Sequence, residues 1–256
     1  MMVFDDIAAW RRERAARPPA ETLGFVPTMG ALHRGHVSLV ERSVRENSAT
    51  LVSIFVNAAQ FNEPADLANY PRTLDRDLAL LEDAGVDYVL VPRHEQLYPD
   101  GYKYRVIETE CATTLEGSHR PGHFDGVLTV VLKLLQLAAA DRAYFGEKDW
   151  QQLHLIRGMA DAFFLPTSII PCPTVRERSG LAMSSRNSRL AAPDVDKAAT
   201  LYRALSQSPS AAAAREALEA EGFDVDYVED RDARRLAAVR LGGVRLIDNV
   251  SLAGLS

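Results

Sequence analysis

Apolar positions along this chain fall into two alternating periods. Short apolar or β-branched runs at 23–26, 50–56, 87–91, 141–145 and 167–170 are bounded by turn residues and predict buried strands. Between them, apolar residues recur at helical spacing. Val37, Leu39, Val40 and Val44 predict a helix from Gly35 to about Asn47, and further helices are expected at 73–84, 127–139 and 150–162. Thr73 stands at a capping position, Asp75 and Asp77 complement the dipole of the first turn, and Gly85 stops that helix. At the start of the chain, Phe4, Ile7, Ala8 and Trp10 predict one amphipathic helix over 3–17, ended by Pro18-Pro19. A strand of mixed character is expected at 103–107. Strands alternating with helices predict an α/β class with a Rossmann-like, doubly wound parallel sheet.

The pattern changes after Pro173. An alanine-rich helical stretch over 191–221 is broken at Ser208-Pro209-Ser210, and short strands are expected at 225–228 and 244–247. This predicts a larger domain over 1–173 and a smaller α+β C-terminal domain over 174–256. The length of 256 residues suits that division, since domains average about 150 residues. With 47% hydrophobic and 25% charged residues, the composition is that of a globular protein. A net charge of -6 argues against nucleic acid or an anionic membrane as partner while leaving room for a local basic pocket. Two cysteines, Cys111 and Cys172, offer neither a disulfide framework nor a zinc site. No run approaches the roughly 18 apolar residues of a membrane span, and the N-terminus has no signal-peptide pattern, so a cytoplasmic protein is expected.

Candidate chemistry collects at the loops that follow strands. Pro27-Thr28-Met29-Gly30-Ala31-Leu32-His33-Arg34-Gly35-His36 joins a strand to a helix start, where unpaired backbone N–H groups favour anions. His33 and His36 can share one face of the first helical turn and reach one phosphate chain. Asn57 and Gln60 follow the 50–56 strand, placed to hold a small polar ligand or merely to close a turn. The glycine-rich segment 115–126 reads either as a loop delivering a helix start to a ligand or as an ordinary connection. Gly146-Glu147-Lys148-Asp149 repeats the strand, loop and helix arrangement with a lysine as point charge, and of Gln151 and Gln152 only one can face a ligand. Met183-Ser184-Ser185-Arg186 is dense in phosphate donors.

These blocks together resemble the pantoate-beta-alanine ligase family, in its order and over nearly the whole chain. The first and last blocks are also similar to the His-Ile-Gly-His and Lys-Met-Ser-Lys-Ser signatures of the wider nucleotidyltransferase superfamily. The resemblance implies ATP-dependent condensation of pantoate with beta-alanine through an enzyme-bound pantoyl adenylate, with release of AMP and pyrophosphate. It implies an ATP site lined by Met29, Gly30, Ala31, Leu32, His33, Arg34, Gly35 and His36, by Gly146, Glu147, Lys148 and Asp149, and by Val175, Met183, Ser184, Ser185 and Arg186. Of these, His36, His33, Lys148, Ser184, Ser185 and Arg186 are the expected catalytic groups, and the C-terminal domain is the expected lid. Gln60, Gln152 and Asn57 are expected at pantoate and beta-alanine. Magnesium is expected on the ATP phosphates with Asp77 in support, and the expected assembly is a homodimer. Ala58 departs from the proline usual after Asn57, and Ser179 from the acid common before Gly180.

Two other functions fit parts of the pattern: an adenylyltransferase acting on a phosphorylated acceptor, and a nucleotide-binding regulator with a decayed site. A dinucleotide-dependent oxidoreductase fits poorly, because 27–36 lacks the G-x-G-x-x-G turn.

Overall fold

The computed structural model describes residues 1–253 and divides the chain into two compact units. The first comprises residues 1–146 and 151–172, the second residues 147–150 and 173 onward.

The first unit is built on six strands: β1 (Met2–Phe4), β2 (Leu23–Thr28), β3 (Ala49–Ile54), β4 (Tyr88–Leu90), β5 (Arg142–Gly146) and β6 (Ser168–Cys172). All pair in parallel, in the order β1-β4-β3-β2-β5-β6. From β2 the chain builds outward on one side through β3 and β4, then crosses to the other side for β5 and β6. The switch point therefore lies between β2 and β5, whose carboxyl ends open the crevice where such sheets bind ligands. Parallel strands need covering on both faces, and β3 is accordingly buried along its whole length.

The helices of this unit are α1 (Ile7–Ala16), α2 (Arg34–Glu46), α3 (Pro64–Ala68), α4 (Leu74–Asp83), α5 (His94–Leu97), α6 (Glu116–His119), α7 (His123–Ala138) and α8 (Trp150–Ala162). α2 packs on α4 and α1 on α7. Gly24 of β2 lies under α2, where a Cβ would collide with Ser43 Oγ and come within 2.5 Å of Asn47 Nδ2. Val26, Val40, Val52, Leu81, Val89 and Tyr144 are fully buried in one cluster of the core.

The second unit has α9 (Ala192–Ala198), α10 (Thr200–Gln207) and α11 (Ala211–Ala220), followed by an antiparallel meander of β7 (Asp224–Arg231), β8 (Arg234–Leu241) and β9 (Val244–Ser251). Leu201, Leu205, Leu218 and Val239 lie in its core. Both hairpins close through two residues at positive φ, Asp232-Ala233 and Gly242-Gly243, the backbone twist that matches paired strands.

The α/β class, the parallel sheet and the smaller α+β unit are as the pattern predicts. Several elements differ. The expected first helix is split, because Met2–Phe4 pairs with β4 and Asp6 then caps α1 by accepting from Ala9 N–H at 2.9 Å. Residues 103–107 form no strand. Gly101 and Tyr102 have φ of 61° and 62°, Val106 N–H goes to Thr129 Oγ1 at 2.9 Å instead of a ladder, and Tyr104 and Ile107 are exposed. The 191–221 stretch breaks at Ser208–Ser210 as expected and once more at Ala199, giving three helices, and β8 was not foreseen. No described helix is long and apolar enough to cross a membrane.

Candidate active site

The loop leaving β2 turns sharply at Gly30 and Ala31, with φ of 79° and 51°. Gly30 suits this backbone, whereas Ala31 is strained and must be held. The Asp77 carboxylate holds it: Oδ2 accepts from Ala31 N–H and Oδ1 from Leu32 N–H, each at 2.8 Å, and the Thr73 hydroxyl lies 3.2 Å from both oxygens. Asp77 is 1% exposed. Its carboxylate thus holds the loop, a role the expectation of magnesium support did not include. Among the described residues, no group of three or more His, Cys, Asp or Glu side chains could hold a metal ion.

His33 follows as the N-cap of α2. Its Nδ1 accepts from Gly35 N–H at 3.1 Å, and His36 Nδ1 accepts from His33 N–H at 3.4 Å. The ring centroids are 4.1 Å apart. With both Nδ1 atoms accepting, each neutral ring carries its hydrogen on Nε2, so the pair can offer two donors to an anion at the start of a 13-residue helix. Arg34 beside them pairs with Glu41 at 3.6 Å on the surface.

A second set of side chains surrounds Gln60. Asn57, 1% exposed, gives Nδ2–H to Gln60 Oε1 at 3.0 Å and to Gly126 O at 3.1 Å, and its Oδ1 accepts from the Tyr98 hydroxyl at 2.8 Å. Asn57 thus braces Gln60, a role the expected substrate contact did not include. The Gln60 backbone carbonyl is held by His123 Nδ1 at 2.8 Å and Arg120 at 3.3 Å. Because an arginine only donates, Arg120 Nη1 at 3.0 Å requires His123 Nε2 to accept, so His123 is the neutral Nδ1–H form. Glu116 lies 3.6 Å from Arg120.

Burial distinguishes the two glutamines. Gln151 faces inward, accepting from Glu116 N–H at 3.0 Å and donating to Cys111 O at 2.7 Å and Thr114 O at 2.8 Å. Gln152, half-buried, makes none of these bonds.

The second unit carries the remaining expected residues. Val175 and Met183 face each other across a small hairpin, Met183 N–H donating to Val175 O at 3.0 Å, with the turn at Gly180 (φ 95°). Ser184 Oγ caps the short turn Ser185–Arg189 by accepting from Arg186 N–H at 3.2 Å. Lys148 also belongs to this unit, not to the larger one as its place in the sequence suggested. Asn249 Nδ2 of β9 donates to Glu147 O at 2.9 Å and Lys148 O at 3.0 Å, and Arg234 pairs with Glu147 at 2.7 Å while stacking 4.0 Å over Trp150. Asn249 and Arg234 were missed by sequence reasoning, as were Tyr98, Arg120 and His123 as supports of Gln60. The Arg120-Pro121-Gly122-His123 segment carried the only signal, as a polar loop before a helix.

A Rossmann-like α/β enzyme acting on a phosphate-bearing ligand is the class that this sheet and these donors define. A sequence profile of the pantoate-beta-alanine ligase family matches residues 2–251. A pantothenate synthetase of Bdellovibrio bacteriovorus is 51% identical over 247 residues, covering 96% of each chain, and one of Legionella pneumophila strain Corby is 49% identical over 252 residues, covering 98% of this chain and all of the other. Among solved structures, the pantoate-beta-alanine ligase of Francisella tularensis, complexed with beta-gamma ATP and beta-alanine, superposes with a TM-score of 0.95 at 42% identity over the full length of both chains. The pantothenate synthetase of Thermus thermophilus gives 0.90 at 44% identity, covering 98% of this chain and 99% of the other. The chain belongs to the pantoate-beta-alanine ligase family and is an ATP-dependent carbon–nitrogen ligase.

Proposed function

We propose that the ligase reaction proceeds through a pantoyl adenylate. A pantoate carboxylate oxygen attacks the α-phosphorus of ATP and pyrophosphate leaves. The amine of beta-alanine then attacks the acyl carbon, the C–N bond forms, the acyl C–O bond breaks, and AMP departs as an anion. The amine must first lose a proton to solvent, since an alkylammonium of the lysine type titrates near 10.4, and it gives up a second as the C–N bond forms, to a histidine or to the phosphate of the departing AMP. No protein nucleophile takes part, so the residues act by alignment and by charge neutralisation.

The observation that carries this reading is the His33 and His36 pair, whose Nδ1 atoms are both turned to the backbone and whose Nε2–H donors suit phosphate oxygens. Met29, Gly30, Ala31, Leu32, Arg34 and Gly35 form the ATP loop around them, His36 giving a hydrogen to the phosphates as charge develops. Lys148, with Gly146, Glu147 and Asp149, contributes a cation for phosphate oxygens, and Val175, Met183, Ser184, Ser185 and Arg186 complete the ATP-directed set. Gln60 and Gln152 take pantoate, and Gln60 also beta-alanine. Magnesium is expected with ATP as the counter-ion of the triphosphate, Asp77 being the candidate for its support by the family resemblance, and no step is assigned to it. A cytoplasmic homodimer belongs to the same reading, on the family resemblance.

The test is to follow AMP and pyrophosphate with each co-substrate omitted in turn. Pyrophosphate release with pantoate and ATP alone, and AMP release only after beta-alanine is added, is the expected result; AMP release that ignores the amine favours the adenylyltransferase. His36→Ala is expected to lose pantoate-dependent exchange between pyrophosphate and ATP by roughly 100-fold or more, the scale of losing a donor to developing charge, while ATP still binds. Unchanged exchange removes His36 from the chemistry.

A further inference from the structure

The buried polar groups behind Gln60 have a fixed direction. Gly126 O can only accept, so the Asn57 atom 3.1 Å from it is the amide nitrogen, and the same nitrogen donates to Gln60 Oε1 at 3.0 Å. Asn57 Oδ1 is then an acceptor, and the Tyr98 hydroxyl at 2.8 Å is its donor. Tyr98 cannot easily surrender that role. It is 3% exposed, burial first and its neighbours Tyr102 and Asp100 next raise its pKa far above the ordinary phenol value, and His94 and Lys133 pack on its ring at 5.1 and 4.7 Å. At the other end, Gln60 Nε2 has only the Met29 thioether among the described residues, at 3.1 Å. Sulfur there is a weak acceptor, so a ligand oxygen that replaces it gains a stronger hydrogen bond.

We propose that Tyr98 is a positioning residue for substrate: through Asn57 it fixes the Gln60 amide so that Gln60 presents N–H, not C=O, and thereby selects an oxygen acceptor of pantoate. The inference rests on the reading that Gln60 contacts pantoate. It goes further by assigning the polarity of that contact and the residue, two hydrogen bonds away, that with Gly126 O holds it. Tyr98 touches no reacting atom. Without its hydroxyl, Asn57 Oδ1 is left buried with no donor and Gly126 O alone still directs the amide, so the hold on the Gln60 side-chain oxygen loosens.

The experiment compares Tyr98→Phe and Gln60→Glu with the parent enzyme in steady-state kinetics and thermal unfolding. Tyr98→Phe is expected to raise the pantoate KM about threefold to tenfold, the value of one neutral hydrogen bond, with ATP KM unchanged and a single cooperative unfolding transition. Gln60→Glu, which replaces the donor with a carboxylate, is expected to raise it more. If Gln60→Glu impairs pantoate use while Tyr98→Phe leaves pantoate KM as it was, or moves both KM values equally, the relay is overturned and the Gln60 contact stands. If Gln60→Glu has no effect on pantoate, the contact itself is wrong. Should Tyr98→Phe fail to fold, nitrogen-15 labelling of glutamine side chains in the parent enzyme decides: the Gln60 NH2 protons are expected to move downfield on adding pantoate, and protons that stay in place overturn the assigned polarity.

Discussion

The Asp77 carboxylate is the strongest single constraint on the histidine loop. Its two oxygens accept from two successive backbone donors, Ala31 at positive φ and the buried Leu32. Asp77→Asn turns one of those oxygens into an NH2 group facing an N–H, and an unsatisfied buried donor costs about 1–3 kcal/mol. Urea unfolding is expected to report a loss of that size, together with a raised ATP KM as His33 drifts from its capping position; a variant with wild-type stability and ATP KM contradicts the clamp. At this scale the sequence was half legible. An acid in the first turn of a helix reads correctly as a dipole partner, but the backbone groups it holds are 46 residues away, and nothing in a local pattern reveals them. The same holds for Asn57, whose side chain reads as holding a ligand or closing a turn, with nothing local to reveal its bonds to Tyr98 and Gly126.

Elements position the second set of groups through one close approach. α7 begins at His123, and its Gly126 lies so near the turn Ala58–Gln60 that a Cβ would collide with Ala59 O and stand 2.6 Å from Ala59 C and 2.7 Å from Gln60 N. Only backbone is available to yield there. Gly126→Ala is therefore expected to push the turn off the helix, costing about 1–3 kcal/mol by overpacking and raising the KM of pantoate more than that of ATP. Kinetics with the two substrates varied separately, beside a thermal melt, check the prediction, and an enzyme as tight for pantoate as the parent would count against it. The helix itself was legible from 127 onward because Val127, Leu128, Val130, Val131, Leu134 and Leu135 give a wide apolar surface, all of it buried. Its first turn was not, since His123, Phe124 and Asp125 resemble a polar loop. Likewise Arg234–Leu241 hides as a strand because arginines and alanines fill it, although Gly242-Gly243 was a hairpin signal that could have located it.

The division of the whole molecule follows a path that no contiguous reading gives. The chain leaves the first unit after Gly146, contributes 147–150 to the second, returns as Gln151, and passes over finally at Pro173. The strand that secures this excursion, β9, comes about a hundred residues later, so a boundary drawn at 173 assigns Lys148 to the wrong company. In consequence Lys148 shares its compact unit with Ser184, Ser185 and Arg186, and its main chain is fixed by Asn249, itself 3% exposed and gripped by Arg234 Nη1 at 2.6 Å. Asn249→Ala removes the two bonds to Glu147 O and Lys148 O and leaves the Arg234 contacts to Glu147 and Trp150 in place. If Lys148 serves ATP, the variant is expected to raise ATP KM about tenfold, equivalent to roughly 1.4 kcal/mol, and to leave pantoate KM within about twofold, a margin of only a few tenths of a kcal/mol. Lys148→Ala should then show a larger rise in ATP KM than Asn249→Ala, and adding Asn249→Ala to it should change little, because both act through one ammonium group. Fully additive losses in the double variant would mean that Asn249 acts elsewhere in the second unit.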